Sequence, residues 1–112
     1  MQTYKGSCHC GKISFEVDME LDHVRVCDCS ICKKRGALNH RVEESQLRIN
    51  VPLDELGLYE WRTKVAKDYF CPVCGILPFR RPSDAPEIWT VNVRCLEGVE
   101  LDSIPDRKST RL

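Results

Sequence analysis

Between residues 12 and 17 the chain reads "KISFEV", with Ile13, Phe15 and Val17 apolar and Lys12, Ser14 and Glu16 polar. Side chains alternate faces along a strand, so this is the signature of a strand buried on one side. The pattern recurs. "HVRV" places Val24 and Val26 on one face, and "LRINV" alternates Leu47, Ile49 and Val51 before Pro52 ends the run. "LGLYEWR" pairs Tyr59 with Trp61, and "DYFCPVCGILPF" reads as strand, tight turn, strand. "IWTVNVRCL" sets Trp89, Val91, Val93 and Cys95 against Thr90, Asn92 and Arg94. Helical periodicity is scarce: "CSICKKRG" predicts a short turn of helix ended by Gly36, and "PLDELG" a single turn. The pattern predicts a mainly β chain, a small antiparallel β domain over residues 1–104. A polar tail, residues 105–112, follows and is expected to fray.

Composition narrows the class. With 112 residues the chain has room for one domain and only a moderate core, so a structural metal would add stability. Seventeen basic and seventeen acidic residues cancel, which gives no support to a nucleic-acid partner or an anionic membrane surface. No run approaches the length of a membrane span, and the N-terminus "MQTYKGSCHC" has no apolar leader segment. A cytoplasmic, reducing location is therefore expected. In that setting eight cysteines read as metal ligands or catalytic groups rather than as a disulfide framework.

The cysteines fall into a C-x-C (Cys8, Cys10), a C-x-C-x-x-C (Cys27, Cys29, Cys32), a C-x-x-C (Cys71, Cys74) and the single Cys95. A C-x-x-C followed by Gly75 has the form of a zinc knuckle, in which a tight turn aims both thiolates at one ion. Structural zinc takes four ligands, and Cys8 and Cys10 are the natural second pair. A redox pair of thioredoxin type and a disulfide framework are the competing readings. The trio Cys27, Cys29 and Cys32 has three readings. It could hold a second zinc with one exchangeable position, the pattern of catalytic zinc. It could be a second structural site closed by His9, His23, His40 or Cys95, or three reduced thiols. His9 is expected to point away and His23 to lie at the surface; His40 is not placed. Cys95 reads as a small buried residue. Lys33, Lys34 and Arg35 follow the trio directly. They would favour thiolates, or meet an anionic substrate, or simply form a solvated turn. Asp28 reads as a spacer and Ser30 as a turn or cap residue.

Taken in order, "GSCHCGKISFEV", "CDCSICKKRG" and "YFCPVCG" resemble the glutathione-dependent formaldehyde-activating enzyme family, which also contains the centromere protein V domain. The resemblance runs from about residue 3 to residue 104. It implies a zinc-bearing β-tent, or Mss-four-like, fold similar to that of methionine sulfoxide reductase B. It implies two zinc ions, a structural one on Cys8, Cys10, Cys71 and Cys74 and a catalytic one on Cys27, Cys29 and Cys32. It further implies condensation of formaldehyde with glutathione, a carbon–sulfur lyase reaction in reverse. Lys33, Lys34 and Arg35 would then face the glutathione carboxylates. A non-catalytic zinc-stabilised binding module and a thiol redox protein are the alternative functions. The expected partner is a small thiol such as glutathione, acting on a monomer or homodimer.

Overall fold

The computed structural model describes residues 1–27, 30–60 and 64–110; within these, the side chains of Cys27, Ser30, Cys32 and residues 106–110 are left aside. The chain is mainly β, with two sheets. The first has the order β1-β2-β5, formed by β1 (Gln2–Ser7), β2 (Ser14–Met19) and β5 (Leu47–Ile49), and is antiparallel throughout. The second contains β3 (His23–Cys27), β4 (Asn39–Val42), β6 (Gly57–Tyr59), β7 (Lys67–Phe70), β8 (Phe79–Arg81), β9 (Trp89–Asn92) and β10 (Asp106–Thr110). Its order is β10-β3-β4-β9-β8-β7-β6. One short helix, α1 (Ser30–Arg35), follows β3 and ends at Gly36, whose φ is +66°.

The alternation in β2 does what its period predicts. Ile13, Phe15 and Val17 are buried, whereas Lys12 and Glu16 are exposed. Phe15 meets Phe79 of the other sheet edge-to-face, with centroids 5.8 Å apart at 87°. Phe79 in turn packs on Trp89 at 5.4 Å and 74°. These rings join Val24, Val42, Val91 and Met19 in one buried cluster fed by both sheets. Fully burying a side chain such as Phe79 contributes about 1.5–3 kcal/mol, and each such ring pair about 0.5–1.5 kcal/mol beyond its area.

Glycine is required where rings lie across a neighbouring strand. Gly6 faces Phe15 in the β1–β2 register, and a Cβ there would sit 2.3 Å from the ring. Gly57 faces Phe70 in the same way across β6–β7.

Two expectations are corrected. The tail expected to fray forms β10, paired in parallel with β3 from Asp106↔His23 to Thr110↔Cys27; its polar sequence suits an edge strand with few contacts to bury. The strand expected to run through Cys95 stops at Asn92. There the Asn92 side chain accepts a hydrogen bond from the Arg94 amide and the backbone turns into a 3-10 turn, Val93–Cys95. Cys95 is therefore half-buried rather than part of the β9 face. β1 and β4 have only weak apolar alternation of their own, and pairing with β2 and with β9 secures them. Trp61, the expected face partner of Tyr59, lies outside the described residues.

Candidate metal centre

Two loops meet at one end of the molecule. The β1–β2 hairpin carries Cys8 and Cys10, and the connection from β7 to β8 carries Cys71 and Cys74. The loops close alike: the Cys8 amide donates to the Ile13 carbonyl at 3.1 Å, and the Cys71 amide to the Ile76 carbonyl at 2.9 Å. Each motif ends in a glycine with positive φ, +85° at Gly11 and +81° at Gly75. That conformation reverses the chain at no Cβ cost and turns the amides inward. In each pair the first cysteine is buried and the second is more exposed. His9, between the first two, is exposed, as its position suggested.

The sulfur geometry fits a metal. Cys8 Sγ lies 3.7 Å from Cys10 Sγ, and Cys10 Sγ 3.6 Å from Cys71 Sγ. A tetrahedron with zinc–sulfur bonds of about 2.3 Å has edges of about 3.8 Å. A disulfide needs about 2.05 Å, and all four cysteines are free. The sulfurs of Cys8, Cys10, Cys71 and Cys74 all lie within 4.8 Å of one another. Backbone amides point at them: Ile13 donates to Cys8 Sγ at 3.4 Å, and Val73 and Cys74 to Cys71 Sγ at 3.4 and 3.5 Å. Such donors favour thiolate over thiol. The Cys74 thiol is accordingly lowered to about 6, chiefly by the Ile76 backbone. Cys71 is also lowered: burial raises it, but the amides of Cys74 and Val73 and the sulfur of Cys10 together outweigh that effect. Cys10 is pushed up to about 11: the Lys12 backbone lowers it, but desolvation and the sulfurs of Cys71, Cys8 and Cys74 together prevail. Metal binding to such a cluster requires the thiolate form and would release protons. Cys95 is raised to about 11, first by burial and then by the charge of Cys8 and Cys74, which places a fifth thiol close by in its protonated form.

A comparison with known protein families matches residues 3–109 to the family described as glutathione-dependent formaldehyde-activating enzyme. The chain belongs to that family. It is also similar to a Rhodobacter sphaeroides protein whose crystal structure was solved by structural genomics, with a TM-score of 0.85 and 38% identity over 95% of this chain and 99% of that one. The family's name describes an enzyme acting with glutathione and formaldehyde, and a four-cysteine cluster that could hold a metal ion accords with it.

The remaining expected site residues divide in two. Cys29 and Asp28 lie outside the described residues, as do the side chains of Cys27, Cys32 and Ser30, although Cys27 ends β3 and Cys32 sits in α1. Lys33 and Lys34 are exposed on α1. Arg35, the third cation, turns the other way. Its Nη1 stands 3.2 Å from Oδ2 of Asp68, a fully buried β7 residue whose Oδ1 accepts from Arg80 Nε at 2.5 Å. This Arg–Asp–Arg triad ties α1 to the strand that leads into Cys71. Pattern reading missed it, because a lone Asp in "KDYF" signals nothing until the fold shows which face is inside.

Proposed function

We propose that the chain is a zinc-dependent enzyme of carbon–sulfur lyase type, acting on the adduct of glutathione, or a similar thiol, with a small aldehyde. The observation that carries this reading is the family match over residues 3–109, supported by a four-cysteine cluster that could hold a metal ion. In this proposal Cys8, Cys10, Cys71 and Cys74 hold a structural zinc that staples the β1–β2 hairpin to the β7–β8 connection. Cys27, Cys29 and Cys32 hold the second ion.

The reaction forms one bond. The glutathione sulfur adds to the aldehyde carbon, the carbonyl π pair moves onto oxygen, and the thiol proton ends on the new hydroxyl. Zinc on the trio would supply Lewis acidity and favour the thiolate form of the incoming thiol. The chain's own part is positioning. Asp68 holds Arg35, and through it α1, against the sheet. Lys33 and Lys34 are thereby left facing solvent, where their ammonium groups can take the glutathione carboxylates. Arg35 then anchors the helix rather than binding substrate.

The test uses zinc-replete protein with 13C-formaldehyde and glutathione, following exchange with S-hydroxymethylglutathione by NMR. The wild-type chain should accelerate exchange. Cys29→Ser should remove the acceleration and one zinc per chain by native mass spectrometry while keeping the β spectrum in circular dichroism. Exchange at the uncatalysed rate with two zincs bound would reject the activity.

A further inference from the structure

Among the described residues a second group of donor atoms stands apart from the sulfurs. Asp22 precedes β3, His23 opens it and His40 lies on β4; one ligand atom from each falls within 4.8 Å of the others. The two imidazole rings are 4.7 Å apart between centroids and inclined at 38°. Asp22 Oδ1 lies 2.8 Å from His23 Nδ1.

His40 is the informative member. It is only 8% exposed, and neither Nδ1 nor Nε2 makes a hydrogen bond of good geometry, the backbone of Arg41 and Glu20 offering only loose contacts. A neutral imidazole carries one donor and one acceptor, and a buried polar group left unpaired is costly. Two histidines in contact also gain nothing from being charged together. Burial, and then the charge of His23, lower the His40 pKa, with Asp22 and the backbone of Arg41 and Glu20 pulling the other way. The ring is thus held neutral, the form in which histidine binds metal.

We infer that Asp22, His23 and His40 form a further binding site for a divalent transition metal of the zinc class, with two nitrogens and one carboxylate oxygen as donors and further positions left to solvent. Imidazole and carboxylate suit zinc, with bonds of about 2.0–2.2 Å. Donors around such an ion stand about 3.3–3.6 Å apart, so the hydrogen bond of 2.8 Å between Asp22 and His23 must open while both side chains draw in on His40. The partly exposed His23 and the largely exposed Asp22 are free to make that movement toward the fixed, buried His40. The ion would satisfy one of the two His40 ring nitrogens that lack a well-formed hydrogen bond. This site is independent of the lyase reading, since it uses no cysteine.

The test titrates zinc into full-length protein whose cysteine sites are already saturated, and follows the histidine ring nitrogens by 15N-correlated NMR. The resonances of His23 and His40 should shift while those of exposed His9 stay in place. Native mass spectrometry should count one more zinc on the wild type than on His23→Gln or Asp22→Asn, two changes at partly or largely exposed side chains that should leave the fold intact. His40→Ala should lose the same ion. Equal zinc counts in the wild type and both surface variants, or a shift at His9 without one at His23 and His40, would overturn the site.

Discussion

The sulfur cluster and the imidazole cluster gather donor atoms by different routes. Around the sulfurs, two loops of similar closure supply four cysteines, and nearby amides already point at Cys8 and Cys71 before any ion arrives. Around the imidazoles, sheet pairing brings β3 beside β4, and His40 is left buried with neither nitrogen in a well-formed hydrogen bond. The first arrangement is preorganised by short-range backbone geometry. The second is an unsatisfied group awaiting a partner. The comparison teaches that a cation at the sulfurs would support the fold, whereas one at the histidines would be a guest of a fold already made.

The largest effect should come from opening the sulfur cluster. Cys71→Ser removes a fully buried ligand that joins loops over sixty residues apart in the chain. Structural zinc sites contribute on the order of 10 kcal/mol to folding, comparable to a whole domain's stability. The variant should lose its β signal in circular dichroism and its zinc; an unchanged melt with metal absent would mean the loops hold without the ion.

Acid should reach the same end by titration. The Cys74 thiol is lowered from 9.0 to about 6. A depressed acid group stabilises the folded state fully above its unfolded pKa and loses that contribution as pH falls through the folded value. Bound cysteines must stay thiolates, so zinc retention against a chelator should weaken as pH falls. Retention that stays flat into strong acid would show that these thiolates do not hold the ion.

Asp68 sharpens the contrast from the other side, because it is buried between two opposite charges: Arg80 hydrogen-bonds its Oδ1, and Arg35 faces its Oδ2 at 3.2 Å as an ion pair without a well-formed hydrogen bond. Asp68→Ala leaves Arg35 and Arg80 without their shared carboxylate, and breaking a buried ion pair in this way costs about 3–5 kcal/mol. Urea denaturation should read that loss. Gly6→Ala comes next, since its Cβ would strike the Phe15 ring, and overpacking costs about 1–3 kcal/mol. Cys95→Ser should be mildest, about 1 kcal/mol, with the zinc count unchanged. A lost zinc there would make the fifth thiol a ligand and break the four-sulfur description.

Much of this was legible in advance where the cause is local. "KISFEV" buries the residues its period says it should, and "FCPVCG" turns as a knuckle, because both depend on side-chain alternation or on a few consecutive dihedrals. The β10 segment was not legible: "DRKST" has no apolar face, and only the free edge of β3 gives it a place. Cys95 misled for a related reason, since a single Asn cap at residue 92 interrupts an alternation that otherwise continues.

The sequence by itself determined the β class, the two cysteine pairs and the family resemblance, since spacing across a few bonds dictates where neighbouring sulfurs and side chains can point. Tertiary structure alone decided that Arg35 turns inward to Asp68 and that His23 meets His40. Those contacts join residues 33 and 17 positions apart. They depend on which strands lie side by side, and that is settled by the packing of the whole core rather than by any segment's own pattern.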